Sequence, residues 1–292
     1  MLTRRSLLAG TAALPVCAAI PLIPIVDTHI HIYDTNRAQG VPWPPASERV
    51  LYKPHLASNF RTAIGSSGVT GAVIVEASPW LADNDWILER ASEDKLFLCV
   101  VGHLDPASAS FSSDLTRLSA NPKFRGIRIS GSSLKEEFYP KLEQLATAGL
   151  SLDVLTGPDQ LPKVAALAAR LPDLRIVVNH LPMYPSPSAE LKLLAGAPGI
   201  FIKVSAVLRK DHEGRVPDSV VFYRDVLDEL WDTFGASRLV YGSNWPVSNR
   251  LSDYGTQLRV VGEYFRSKGS TPARQYFSEN AARLYRWPGV SY

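Results

Sequence analysis

The chain reads as an α/β protein, a single eight-stranded (β/α)8 TIM barrel preceded by an N-terminal leader. Three observations predict it. Short, near-continuous apolar runs alternate with segments of helical periodicity, the pattern of a parallel sheet covered on both faces. Eight such pairs follow one another in roughly 265 residues, and the centres of the second to seventh strands lie about 25 residues apart. No Gly-rich phosphate loop follows any strand, which weakens the alternative of a doubly wound open sheet.

The first strand spans 25–34, Ile-Val-Asp-Thr-His-Ile-His-Ile-Tyr-Asp. His29 and His31 are two apart, and on a strand residues i and i+2 point to the same side. Two imidazoles, the commonest metal-ligating side chains and acid–base groups near neutral pH, therefore project together. A Pro-rich loop over 40–54 follows, long enough to cover a site with Trp43 and Tyr52. After a helix at 56–66 the alternation is regular. Strands fall at 69–77, 95–102, 124–130, 150–156, 174–180, 200–206 and 238–243. Helices fall at 82–93, 108–120, 136–148, 161–170, 187–196 and 218–233, with more to about 285.

Composition excludes several function classes. The 292 residues are 46% hydrophobic and 20% charged, an ordinary globular balance. The net charge of +3 and the lack of any basic run argue against nucleic acid as a partner. Cys17 and Cys99 allow neither a disulfide framework nor a Cys-based metal centre. A small-molecule substrate remains, and the sequence sets no oligomeric state.

In a barrel, chemistry sits at the C-terminal ends of the strands. That rule selects His29 and His31 on the first strand, Glu76 on the second, and His103 and Asp105 after the third. It selects Arg128 on the fourth, Asp153 on the fifth and His180 on the sixth. The seventh offers Lys203 and Ser205, the eighth Ser243 and Asn244. Three His, an Arg and several carboxylates on one rim exceed what a core needs. Three imidazoles with one open position also form a recognised catalytic zinc arrangement.

With those residues in place the chain resembles the amidohydrolase superfamily, and within it the amidohydrolase-related branch of sugar-lactone and pyrone-dicarboxylate lactonases. Val26-Asp27-Thr28-His29-Ile30-His31 matches the first-strand motif, and Phe124-Arg125-Gly126-Ile127-Arg128 the fourth-strand motif. Val177-Val178-Asn179-His180-Leu181-Pro182 matches the sixth, and Glu279-Asn280-Ala281-Ala282-Arg283-Leu284-Tyr285 the closing helix. Tyr241-Gly242-Ser243-Asn244-Trp245-Pro246-Val247 departs from the eighth-strand motif at one residue, where Asn244 replaces the usual Asp. An amide donates and accepts hydrogen bonds but takes no proton at neutral pH. Asn244 therefore orients water or substrate and is not the base.

The resemblance implies a hydrolase that opens a lactone by water attack on the carbonyl. His29 and His31 would polarise the oxygen, His180 would take the proton, and Arg128 would grip the carbonyl or a carboxylate. Tyr33, Trp43, Trp80 and Asp153 are the further pocket candidates. Arg128, Arg209 and Arg250 leave room for a carboxylated lactone beside a sugar lactone. His29, His31 and His180 are the ligand set for one divalent ion, zinc by ligand type, with metal-free catalysis as the equal alternative. Two further readings stand beside this one: a metal-dependent decarboxylase of aromatic acids, and an inactivated barrel that only binds.

Residues 1–23 read as an export leader, with the barrel domain at 24–292. Arg4-Arg5 followed by an Ala-rich apolar stretch resembles a bacterial twin-arginine signal. The stretch is interrupted by Pro15 and falls short of the roughly 20 residues of a membrane span, so no membrane association is expected after its removal. The expected location is the periplasm or beyond, with the cytoplasm as the alternative. N-terminal sequencing of the protein from its host is expected to begin 18–23 residues into the chain; an intact Met1 in the folded enzyme would contradict export.

Overall fold

The computed structural model describes residues 23–180 and 188–289. The expected leader, apart from Ile23, lies outside the described residues, as do Leu181-Pro182 and the start of the helix expected at 187–196. Eight strands are present: β1 (Ile25–Ile30), β2 (Val69–Val75), β3 (Phe97–Gly102), β4 (Phe124–Ser130), β5 (Ser151–Leu155), β6 (Arg175–Asn179), β7 (Ile200–Val204) and β8 (Leu239–Tyr241). They pair in chain order, each neighbour parallel to the last. A helix follows every strand: α1 (Ala57–Ile64), α2 (Leu81–Glu93), α3 (Phe111–Ser119), α4 (Tyr139–Thr147), α5 (Leu161–Arg170), α6 (Ser188–Ala195), α7 (Val220–Phe234) and α8 (Tyr254–Ser267). Short α9 (Ser270–Arg274), a π turn at Gln275–Glu279 and α10 (Asn280–Tyr285) end the fold. This is the (β/α)8 barrel that the strand spacing predicts. No helix among the described residues is long and apolar enough to cross a membrane.

The strands are apolar on both faces because each face has a core of its own. Along β2, Val73 and Val75 pack inside the barrel with Cys99, Val101, Val177 and Val240. Ala72 and Ile74, on alternate positions, pack outward against the helices. The helices answer with one apolar stripe each; in α5 it is Leu161, Val164, Leu167 and Ala168. α10 plugs the lower end. Asn280 donates to the carbonyls of Ala236 and Leu239 at 2.7 Å, and Leu284, Tyr285 and Trp287 join the inner cluster.

The ends of two strands differ from expectation. The first was expected to run to Asp34 but stops at Ile30. Beyond it the backbone leaves β2: His31 N–H donates to the carbonyl of Trp245 at 2.8 Å, and Tyr33 pairs antiparallel with His55. The eighth stops at Tyr241, because Ser243 N–H donates to the Asp27 carboxylate at 2.9 Å and not to a ladder carbonyl. These deviations close the barrel. Across the seam between β1 and β8, Thr28 Oγ1 donates to the carbonyl of Tyr241 at 2.5 Å and Asn244 N–H to that of His29 at 2.9 Å. Gly242 is required there, since a Cβ on it would lie 2.9 Å from the Cβ of His29.

Candidate active site

At the C-terminal ends of the strands lies a cavity of about 330 Å³. Its floor is formed by His31, Arg128, His180 and Asn244, and its walls by Trp43, Ala77, Leu155 and Val247. Four residues expected from strand-end position alone therefore converge. Trp43 arrives from the Pro-rich loop, as expected of a covering segment. Tyr52 is exposed instead.

The three imidazoles form one cluster. Ring centroids of His29 and His31 are 4.9 Å apart, and those of His29 and His180 are 4.4 Å apart. His29 lies beneath the other two, fully buried and off the cavity surface. The hydrogen bonds set the tautomers. His31 Nδ1 is 2.9 Å from the carbonyl of Val75, which only accepts, so Nδ1 carries the proton and Nε2 the lone pair. His180 Nδ1 is 2.7 Å from Ser205 Oγ, whose own proton is directed at the carbonyl of Lys203 at 3.4 Å. With Nδ1 held by Ser205, Nε2 is the ring nitrogen left for the cavity. His29 Nε2 lies 3.2 Å from His31 Nε2, and the buried Nδ1 of His29 has no partner among the described residues.

Arg128 is held from one side. Its Nε donates to Glu76 Oε1 at 2.7 Å and its Nη2 to the Glu76 carbonyl at 2.6 Å. Nη1 is thereby turned to the His cluster, 3.4 Å from His29 Nε2. Below, fully buried Lys203 donates to Asp153 at 2.7 Å and to the carbonyl of Thr28 at 2.9 Å. Tyr285 and Asn179 complete the partners of Asp153. His180 and Asn244 both have left-handed backbones, φ 61° and 60°. Asn tolerates that region; for His it is strained by about 1–3 kcal/mol, a feature common in functional sites.

Three expected pocket residues stand elsewhere. Asp153 is the buried partner of Lys203 and never reaches the cavity. Tyr33 packs behind Trp43 with ring centroids 5.6 Å apart, and its hydroxyl donates to the carbonyl of Leu51. Trp80 caps the start of α2 in solvent. Ala77, Leu155 and Val247 were missed as lining residues. The strand-end rule covers the first two, but apolar side chains carry no chemical signal that selects them. The roles of Glu76 and Ser205 in turning Arg128 and His180 were likewise unassigned, although both lie at strand ends.

Among the described residues no group of three or more His, Cys, Asp or Glu side chains stands in metal-holding geometry. Asn244 replaces the anionic ligand, and the Arg128 guanidinium faces the imidazoles at hydrogen-bond distance. Three neutral imidazoles suffice for zinc elsewhere, but here a fixed guanidinium at hydrogen-bond distance from one of them opposes a resident dication.

The chain belongs to the amidohydrolase family, whose profile matches residues 26–287. This agrees with the resemblance seen in the motifs. An L-fucono-1,5-lactonase of Burkholderia ambifaria is 30% identical over 279 residues, 89% of this chain and 95% of that one. An L-fucono-1,5-lactonase of Burkholderia multivorans is 25% identical over 286 residues, 90% of this chain and 96% of that one. In fold, the chain is similar to an amidohydrolase from Burkholderia multivorans crystallised with bound zinc. The TM-score is 0.80 at 23% identity, over 91% of this chain and all of that one.

Burial keeps the histidines neutral. It lowers His31 from 6.5 to about 3, with the Arg128 charge adding to the effect. It also lowers His55, packed between Tyr33 and Trp245, to about 4. His29 and His180 are pushed well below 6.5, by burial first and then by neighbouring charges. As pH falls through 6.5 the unfolded chain binds protons at these sites and the folded chain does not, so stability declines with falling pH. The melting temperature is expected to be level from pH 8 to 7 and to fall progressively between pH 6.5 and 4. His55→Phe is expected to flatten that slope. A melting temperature independent of pH across the window would contradict buried neutral imidazoles.

Proposed function

We propose that this protein is a lactonase whose base is His180. The observation that carries the reading is the Ser205–His180 pair, in which Ser205 Oγ holds Nδ1 at 2.7 Å and leaves Nε2 for a cavity lined also by Arg128 and Asn244. A water between His180 and the substrate attacks the ring carbonyl carbon. His180 Nε2 takes its proton as the O–C bond forms. Arg128 and Asn244 donate to the developing oxyanion, and donors of this kind contribute about 3 kcal/mol each. The ring C–O bond then breaks, and the imidazolium returns the proton to the departing ring oxygen. The same burial that makes His180 a weak base makes its protonated form a strong acid, which suits this second transfer. The product is a hydroxy acid that releases a proton at neutral pH.

The relatives named as lactonases support the substrate class. Decarboxylation of an aromatic acid is less well supported, because Arg128 is already paired with Glu76 and has no free charge for a substrate carboxylate. The inactivated-barrel reading loses its main argument once His180, and not residue 244, is the base. A structural neighbour was crystallised with bound zinc, and the chelator comparison below tests metal dependence directly. His29 holds His31 from below.

Proton release from a lactone panel, measured with and without chelator, tests the reading. Turnover is expected to survive chelation, and His180→Ala to lower kcat by about a hundredfold or more. Turnover lost to chelator and restored by zinc would overturn the metal-free mechanism, and near-normal turnover of His180→Ala would remove His180 from it.

A further inference from the structure

The charges under the cavity are balanced in pairs. Arg128 lies 2.7 Å from Glu76 and Lys203 lies 2.7 Å from Asp153. Three of the five N–H bonds of Arg128 are on Nε and Nη2, facing Glu76, so one nitrogen, Nη1, remains for the cavity. The other two arginines singled out in the sequence are engaged elsewhere. Arg209 stacks on the rings of Phe222 and Tyr223, and Arg250 reaches Glu48 and the carbonyl of Val247. No second cation lines the cavity among the described residues. A substrate carboxylate would leave water without meeting an unpaired positive charge.

Among the described lining residues four carry polar groups that can act on an ester. His31, Arg128, His180 and Asn244 form the floor, where the carbonyl and the attacking water must be held. The other described lining residues are Trp43, Ala77, Leu155 and Val247, whose side chains carry no polar atom except the indole N–H of Trp43. Leu155 is 42% exposed at the mouth, an apolar side chain left in solvent at the entrance to a polar floor. Ring hydroxyls placed against these walls would lose their water partners and gain none, whereas hydrocarbon would displace water favourably.

Resting on the lactonase reading, we infer that the substrate is an uncharged lactone bearing a hydrocarbon substituent, seated with its ester at the His floor and its substituent against Trp43, Leu155 and Val247. The cavity of about 330 Å³ lies at the small end of ligand sites and suits one ring with a short chain.

The test compares kcat/KM of the full-length enzyme on three six-membered lactones: one with a short alkyl substituent, D-glucono-1,5-lactone, and 2-pyrone-4,6-dicarboxylate. The alkyl lactone is expected to exceed the polyhydroxylated one by about tenfold or more and the dicarboxylate by about a hundredfold. Leu155→Gln, at a solvent-exposed position that leaves the core untouched, is expected to narrow the ratio of alkyl to polyhydroxylated lactone by about tenfold, with its folding checked by thermal melt. Faster opening of either of the other two lactones, or an unchanged ratio in the folded Leu155 variant, would overturn this substrate class while leaving a lactonase. Failure to open any of the three would overturn the lactonase reading itself.

Discussion

The carboxylate of Asp27 is the interaction on which the upper barrel depends. It is fully buried, and its Oδ1 accepts from His29 N–H at 3.1 Å and from Ser243 N–H at 2.9 Å, while Oδ2 accepts from the Tyr254 hydroxyl at 3.0 Å. One side chain thus ties β1, the end of β8 and α8 together. The strands themselves pair only in chain order from β1 to β8, so the last seam is closed by these bonds and by the few backbone bonds beside them. The desolvation that pushes the Asp27 pKa up is opposed by these donors. One of the two amides that Asp27 holds is that of His29 itself and the other, on Ser243, adjoins Asn244, so the closure of the barrel and the placing of two site residues are the same event.

From that seam the site is assembled in tiers. Lys203 and Asp153 form a neutral pair in the barrel interior, with Lys203 also holding the carbonyl of Thr28. His29 lies above, braced against His31, and the cavity opens above His31 and His180. Nearby positive charges and burial both disfavour protonated imidazoles, so lone pairs are retained at neutral pH. Such a floor offers fixed dipoles and one guanidinium edge to a developing oxyanion, with no reorganisation needed at the moment of reaction. Charge balance, and not a strong field, is its electrostatic character.

Much of this was legible in the sequence. Apolar runs fixed the strand count, because a barrel strand buried on both faces needs them. The strand-end rule then found His31, Arg128, His180 and Asn244, since these are polar residues interrupting apolar runs. The same rule failed for Asp153. An inward-facing strand residue looks identical in sequence whether it reaches the cavity or stops one tier lower, and only the barrel's stacking distinguishes them. Trp80 and Tyr33 were aromatic residues close to strand ends, yet one caps a helix in solvent and the other packs behind Trp43. Asp27 was part of a quoted motif, but its partners Ser243 and Tyr254 are more than two hundred residues away and carry no local signal of the contact.

The central claim is that a neutral His180 acts as base in a charge-balanced site, with Asn244 positioning and not reacting. The pH dependence of kcat/KM for wild type and Asn244→Asp, each with and without chelator, tests it most directly. A carboxylate at 244 would stand beside His31 and favour the imidazolium form of the cluster. The account predicts that Asn244→Asp is less active at neutral pH, with its acid limb moved to higher pH and no response to chelator. A gain of turnover in Asn244→Asp that chelator abolishes would contradict it, and would mark this cavity as a metal site lacking only its carboxylate.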